Sequence, residues 1–212
     1  MHIETLSKET KEVFDLLKDS VASFYLAGGT ALALGLGHRI SVDLDFFTQE
    51  QFSTQELLRE LSTKGRLEVD SQSKDTINGS LNGVKISFFR LPDGLLFEAK
   101  KFQGVKIADE RDIVAMKILA VSGRGSKKDF VDLYFLLRKY SLEDMLGFFH
   151  TKYAMYNYNT MHILKSLVYF GDAEVDSEPI CLIPIDWLKL KKEIERKVDD
   201  YITKATNVSS SQ

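Results

Sequence analysis

The stretch Phe24 to Phe47, FYLAGGTALALGLGHRISVDLDFF, sets two aspartates one residue apart inside an otherwise apolar run, directly downstream of a glycine corner. Phe24, Tyr25, Leu26 and Ala27 read as a buried strand that stops at Gly28-Gly29. Thr30 is expected to cap the helix that Ala31 to Leu34 continue, and Gly35 and Gly37 to end it. Val42 to Phe47 then resumes a strand. Side chains alternate across a strand, so Asp43 and Asp45 share one face and Leu44 and Phe46 the other. Two carboxylates on one face repel unless a positive charge lies between them, and a buried carboxylate is costly unless paired. A divalent ion such as Mg2+ or Mn2+, arriving with a nucleoside triphosphate (NTP), answers both demands. An ion pair for one aspartate and solvent for the other would answer them too.

The glycine corner has two readings as well. Backbone N–H groups at Gly28, Gly29 and Thr30, entering a helix, make a cradle for phosphate, since absent side chains allow close approach and the helix N-terminus favours negative charge. A tight strand-to-helix turn needs no ligand. No lysine follows the glycines in the place a Walker loop requires. Arg39, after His38, could reach a phosphate, hold an aspartate, or sit at the surface of a helix end. Ser41 could brace a carboxylate or a ligand oxygen, or serve as a turn residue.

Around this stretch the chain reads as α+β. Residues 5 to 20 form an amphipathic helix through Leu6, Val13 and Leu17. Ser53-Thr54-Gln55-Glu56 is a capping box for a helix that ends at Gly65. Strands are expected over Arg66 to Asp70, Thr76 to Leu81, Val84 to Leu91, Leu95 to Ala99 and Val105 to Ile107, with Asn82-Gly83 a type I′ hairpin turn. Beyond Ala108 the pattern becomes helical: Asp109 to Ser122, Lys127 to Lys139, one opening at Ser141, Asn157 to Phe170, and Asp186 to Thr203, with Asp172 to Pro184 a connecting loop. The division expected is 1–107 for an α/β core, 108–206 for a helical region packed on it, and 207–212 for a disordered tail.

Composition excludes several function classes. The net charge of −3 over 212 residues argues against a broadly basic nucleic-acid coat, leaving room only for local basic tracks at Lys100-Lys101 and at Arg124 to Lys128. One cysteine, Cys181, builds neither a disulfide framework nor a cysteine zinc site, which fits a reducing, cytoplasmic setting. MHIETLSKET lacks the apolar core of a signal peptide, and no apolar run approaches the ~20 residues that span a bilayer.

The helical half carries two isolated charges. Lys117 is the one polar residue in IVAMKILAV, and Asp132 the one carboxylate in FVDLYFLL. Each needs a partner. They can pair with each other across a helical hairpin; they can also serve chemistry, Lys117 at a triphosphate and Asp132 orienting it or acting as a base. The two accounts are compatible. Asp129, three residues after Ser126, reads as a capping residue, while Arg124, Lys127 and Lys128 make a basic loop suited to phosphate or an RNA backbone.

The ordered set Gly28-Gly29-Thr30, His38-Arg39, Ser41-x-Asp43-x-Asp45, Lys117 and Lys128-Asp129-x-x-Asp132 resembles the AbiEii/AbiGii toxin family, nucleotidyltransferase-fold proteins that include the MenT-type toxins. The resemblance implies a polymerase-beta-like core with a mixed sheet, followed by a helical C-terminal half. It implies a metal-dependent nucleotidyltransferase that uses an NTP, acts in some members on the acceptor end of tRNA, and is restrained by an antitoxin in a toxin–antitoxin or phage-defence system. Carried over, Gly28, Gly29 and Thr30 hold phosphate and Asp43 and Asp45 bind Mg2+ or Mn2+. Lys117 contacts the triphosphate, Asp132 completes the catalytic set, and Arg39, Ser41 and Lys128 join the nucleotide-binding residues. One departure stands out: the strand Val84 to Phe89 offers Ser87 where many nucleotidyltransferases place a third carboxylate. A catalytically silent nucleotide-binding module, a purely structural interaction protein, or a kinase-like transferase would draw on the same residues.

Overall fold

The computed structural model describes residues 1–209. The chain divides into two compact units, Met1–Ile113 and Val114–Gln212. In the first, α1 (Lys8–Leu17) is capped by Ser7, whose side chain accepts from the Thr10 N–H, and it buries Val13, Phe14 and Leu17. The strand before the glycine corner forms as β1 (Tyr25–Ala27), and α2 (Gly28–Leu36) follows with no intervening residue. Gly37 ends α2 in the left-handed region at φ 69°. Then come β2 (Leu44–Thr48), α3 (Thr54–Ser62), β3 (Leu67–Ser73), β4 (Thr76–Leu81), β5 (Val84–Arg90), β6 (Lys100–Phe102) and β7 (Val105–Ile107). Asn82 and Gly83 both take positive φ, 51° and 80°, as a type I′ turn between β4 and β5 requires.

These strands form one sheet in the order β3-β4-β5-β2-β1-β7-β6. It is mixed: β2 runs antiparallel to β1 but parallel to β5, and β1 runs parallel to β7. Register aligns the apolar positions. Leu44 lies beside Ile86, and Phe46 beside Phe88, which in turn faces Ile77 on β4. All five are essentially fully buried. Phe88 stacks on Phe46 at 5.2 Å and meets Phe24 edge-on at 5.2 Å. The alternation leaves Asp45, Ser87 and Asn78, aligned across β2, β5 and β4, half-buried on the opposite face.

Three expectations change here. β2 begins at Leu44 and not at Val42, so Asp43 precedes the strand that carries Asp45 and strand alternation does not set its face. Leu95 to Ala99 is not a strand, because the Leu96 and Phe97 N–H groups donate to the buried carboxylate of Asp112 instead of a ladder partner. The strand forms slightly later, as β6. Thr30 is not the N-cap of α2: the helix starts at Gly28 with Ala27 as N-cap, so Thr30 falls within the first turn and its hydroxyl is spent elsewhere.

The second unit is helical. The helix α4 (Glu110–Gly123) contains the division between units; α5 (Lys127–Leu137), α6 (Leu142–Lys152), α7 (Thr160–Leu167), the short α8 (Gly171–Glu174) and α9 (Trp187–Ser209) follow. Capping boxes open α5 at Ser126 with Asp129 and α6 at Ser141 with Asp144. Leu190, Ile194 and Val198 of α9 are buried where that helix packs on α5, α6 and α7. α9 continues to Ser209, past the Thr203 read from the sequence, so residues 207–209 are helical; residues 210–212 of the expected tail lie outside the described residues. No helix among the described residues is long and apolar enough to cross a membrane.

Phe88 is the side chain on which the sheet core converges. Phe88→Ala is expected to destabilise the protein by about 3–5 kcal/mol through lost transfer energy and the cavity left behind. Urea unfolding checks this as a lowered midpoint with an unchanged slope.

Candidate functional site

Asp45 sits next to Ala27 across the β1/β2 pair, which brings its carboxylate to the first residue of α2. A Cβ built on Gly28 would lie 3.2 Å from Asp45 Oδ2, and Gly28 takes φ +68°. Both facts favour glycine: the left-handed backbone strains other residues, and a Cβ there would crowd the carboxylate by a few tenths of an ångström. The carboxylate thereby lies at the positive end of the α2 dipole, beside the first-turn N–H groups that have no partner within the helix.

Asp43 is placed by its backbone. Thr10 Oγ1 donates to the Val42 carbonyl at 3.3 Å, and the Thr30 hydroxyl donates to the Asp43 carbonyl. Thr30 Oγ1 is also 2.8 Å from Ser41 Oγ, and the Ser41 N–H donates to the Thr5 carbonyl at 2.9 Å. The peptide groups flanking Asp43 are thus clamped from α1 and α2, while its side chain stays half-buried. Arg39 is 3% exposed, not a surface arginine, and its Nη1 donates to the Ile40 carbonyl at 3.1 Å. Parallel register sets Ser87 directly beside Asp45.

The structure therefore brings Gly28 to Asp45, Thr30 to the Asp43 carbonyl, and Ser41 to the Thr30 hydroxyl. Among the described residues no group of three or more His, Cys, Asp or Glu side chains could hold a metal alone. Two aspartates, Asp45 against the start of α2 and Asp43 two residues before it in the chain, are not an all-protein cage. They do suit Mg2+ or Mn2+, hard ions that take oxygen ligands; Mg2+ characteristically binds one or two carboxylates and fills its remaining positions with phosphate oxygens and water.

In the helical unit Lys117 and Asp132 meet. Lys117 Nζ lies 2.8 Å from Asp132 Oδ2 and 2.8 Å from Asp129 Oδ1, with all three side chains nearly inaccessible. Asp129 combines two tasks, since its other oxygen accepts from the Ser126 hydroxyl at 2.5 Å and the Ser126 N–H at 3.3 Å. The capping role was legible in the sequence and the ion pair was overlooked; the signal was the i, i+3 spacing of Asp129 and Asp132, which places both on one helical face. Burial would lower the Lys117 pKa, but the charges of Asp132 and Asp129 outweigh it and hold it above the usual lysine value. Burial likewise pushes Asp129 up, and Lys117, with the Ser126 hydroxyl, more than reverses this and holds it below the usual carboxylate range. The ammonium carries three N–H donors, of which these carboxylates take two.

The rest of the basic loop divides. Lys127 is buried: its N–H donates to Asp176 Oδ2 at 2.8 Å and its Nζ to Glu178 Oε1 at 2.8 Å. Lys128 is exposed on α5.

Comparison with known proteins bears on these residues. The sequence model of the family described as nucleotidyl transferase AbiEii toxin, type IV toxin–antitoxin system, matches residues 16–90 and 84–207. An uncharacterised protein from Aquifex aeolicus is 39% identical, with the match covering 93% of this chain and 98% of that protein. Among solved structures, MenT4, a nucleotidyltransferase toxin from Mycobacterium tuberculosis, superposes with a TM-score of 0.62 at 14% identity, covering 91% of this chain and 84% of that one. JHP933 from Helicobacter pylori gives 0.59 at 19% identity, covering 97% of each. Both structural likenesses concern the fold, which is nucleotidyltransferase-like.

The ion triad has a pH signature. Asp129, held low in the folded state, contributes stability that is present above about pH 4 and lost as pH falls through its folded value. Lys117, held high, contributes below about pH 10.4 and loses that contribution as pH rises through its folded value. Lys117→Met strands two buried carboxylates and is expected to cost about 3–5 kcal/mol at neutral pH. Thermal unfolding across the acid range should show a smaller further loss on acidification in the variant than in the wild type.

Proposed function

The chain belongs to the AbiEii nucleotidyl transferase toxin family, and from that premise we propose that it transfers a nucleotide from an NTP to a hydroxyl of RNA, the acceptor end of a tRNA, using a divalent cation at Asp43 and Asp45. Nucleotidyl transfer with an NTP substrate, and a toxin's place in a type IV toxin–antitoxin system with its antitoxin partner, come with the family. The metal, the RNA acceptor and the individual residue roles are the proposal. A tRNA acceptor puts the reaction in the cytoplasm.

The observation that carries it is the Asp45 carboxylate lying against Gly28, where a Cβ would come within 3.2 Å. The phosphate-cradle residues and a cation-binding carboxylate adjoin without any side chain between them. Gly28, Gly29 and Thr30 offer first-turn N–H groups to phosphate oxygens. Thr10 and Thr30 bond the main chain on either side of the Asp43 nitrogen, which presents a half-buried carboxylate with little reorganisation. Arg39 and Lys128 are assigned to the nucleotide as well. Lys117 is assigned to the triphosphate through the N–H that Asp129 and Asp132 leave over, and Asp132 to fixing that ammonium. When bound, the cation, Mg2+ or Mn2+, would neutralise charge on the phosphates during displacement.

The chemistry is in-line attack of the acceptor hydroxyl on the α-phosphorus: the O–P bond forms as the hydroxyl proton passes to water, the bond from phosphorus to the α,β-bridging oxygen breaks, and pyrophosphate leaves. Ser87, the in-register neighbour of Asp45, cannot take up a proton at neutral pH as a third carboxylate would. One cation held by two aspartates is therefore the arrangement proposed.

Incubation with RNA and NTP labelled separately at the α- and γ-positions tests the reading. The expected result is α-label on RNA with stoichiometric pyrophosphate release, abolished by EDTA and by Asp43→Ala. Label from the γ-position alone would make the protein a kinase. Metal-dependent NTP binding by calorimetry without transfer would make it a silent binding module.

A further inference from the structure

A cavity of about 330 Å³ opens in the helical unit between the C-terminal end of α4, the turn that follows it, and α7. Its polar lining includes Arg124, His162, Lys165, Ser166, Tyr169 and Asp172. Spacing explains the convergence: His162, Lys165 and Tyr169 stand at i, i+3 and i+7, one face of α7 continued past its end. Arg124 stands on a tight turn fixed by N–H bonds from Arg124 and Gly125 to the Ala120 carbonyl, at 3.0 and 3.4 Å. Gly125 takes φ +44°, and a Cβ there would meet the Phe130 ring at 3.2 Å. The arginine is thus carried by a backbone with little freedom.

The charges here are uncommitted, unlike those nearby. Lys117 is held by two carboxylates and Lys127 by Asp176 and Glu178. Arg124 and Lys165 have no ion pair or side-chain hydrogen bond among the described residues, and Asp172 pairs with neither of them. The serine donors in the lining are spent internally, Ser122 on the Leu119 carbonyl at 2.8 Å and Ser166 on the His162 carbonyl at 2.9 Å. What remains to bind a ligand is two permanent cations set against one carboxylate, Asp172, an imidazole, and the Tyr169 ring, 62% exposed at the rim. In a chain of net charge −3 any attraction for a polyanion must be local, and this cavity supplies it.

We infer that this cavity is a phosphodiester subsite for a single-stranded segment of RNA, with Arg124 and Lys165 on the phosphate and Tyr169 stacking the adjacent base. Cations that grip the backbone together with an exposed aromatic ring for a base face are the two elements of sequence-tolerant single-strand binding. The inference rests on the reading of RNA as acceptor and deepens it by placing part of that RNA on the helical unit.

Fluorescence anisotropy of a 5′-labelled single-stranded RNA without NTP tests it on the full chain. Arg124→Glu/Lys165→Glu is expected to weaken binding at least 10-fold at low salt, and to make the salt slope shallower by about 1 to 2, the share of two phosphate contacts. Tyr169→Ala is expected to weaken binding about 5-fold or more. Circular dichroism of the charge-reversed variant and of Arg124→Gln/Lys165→Gln confirms that these exposed changes leave the fold intact. In the label-transfer assay the same variants should raise KM for RNA and leave KM for NTP unchanged. Variants that bind RNA as the wild type does overturn the inference, and if they still label RNA normally the acceptor reading survives alone. Loss of affinity for an acidic protein partner with RNA binding intact would also overturn it. A wild type that binds RNA through these residues but labels none sinks the acceptor reading and leaves the subsite standing.

Discussion

The close approach of the Asp45 carboxylate to the Gly28 backbone is the constraint around which the first unit is built. It goes with a glycine at the start of α2, whose left-handed backbone and near contact both disfavour a Cβ, and with β2 beside β1 in the register that sets Asp45 next to Ala27. Each feature traces to sequence: the glycine corner, the missing linker between β1 and α2, and a strand whose apolar positions lock it to β5 through the stacked Phe46 and Phe88. A one-residue slip of β2 would bury Asp45 and expose Leu44 and Phe46. The core therefore protects the position of the carboxylate as much as it stabilises the fold.

The second unit solves a different electrostatic problem. A lysine inside an apolar helix is costly on its own, and a carboxylate inside the next helix equally so. Lys117, Asp129 and Asp132 meet in one triad, and Asp129 also closes the capping box that starts α5. The start of α5 and the direction of the Lys117 ammonium are thus set by one side chain. A buried ion network of this kind is a weak source of net stability and here fixes the direction of one ammonium.

Much of this was legible before any coordinates. Local chemistry announced itself: the type I′ turn at Asn82-Gly83, the Ser53 N-cap of α3, the amphipathic α1 and the α+β class of the fold. The candidate-site residues stood out as charges among apolar neighbours. Legibility failed where partners come from far along the chain. Leu95 to Ala99 has strand-like composition but surrenders its N–H groups to Asp112, more than ten residues on. Thr30 has the right identity for a cap but sits within the first turn, so its hydroxyl turns to the Asp43 carbonyl. Arg39, open between a phosphate, an aspartate and the surface, and Lys127, read as part of a basic loop, are both buried, Lys127 beside carboxylates some fifty residues away. The parallel pairing of β2 with β5, which puts Ser87 beside Asp45, has no local signature at all.

The central claim is that Asp43 and Asp45, the latter against the start of α2, hold a cation that bridges to a triphosphate. Anomalous diffraction from crystals grown with Mn2+ and a non-hydrolysable NTP analogue tests it most directly. The account predicts one manganese peak within coordination distance of both aspartates, with phosphate oxygens against the first turn of α2. A bound analogue with its triphosphate elsewhere, or manganese on neither aspartate, would contradict it.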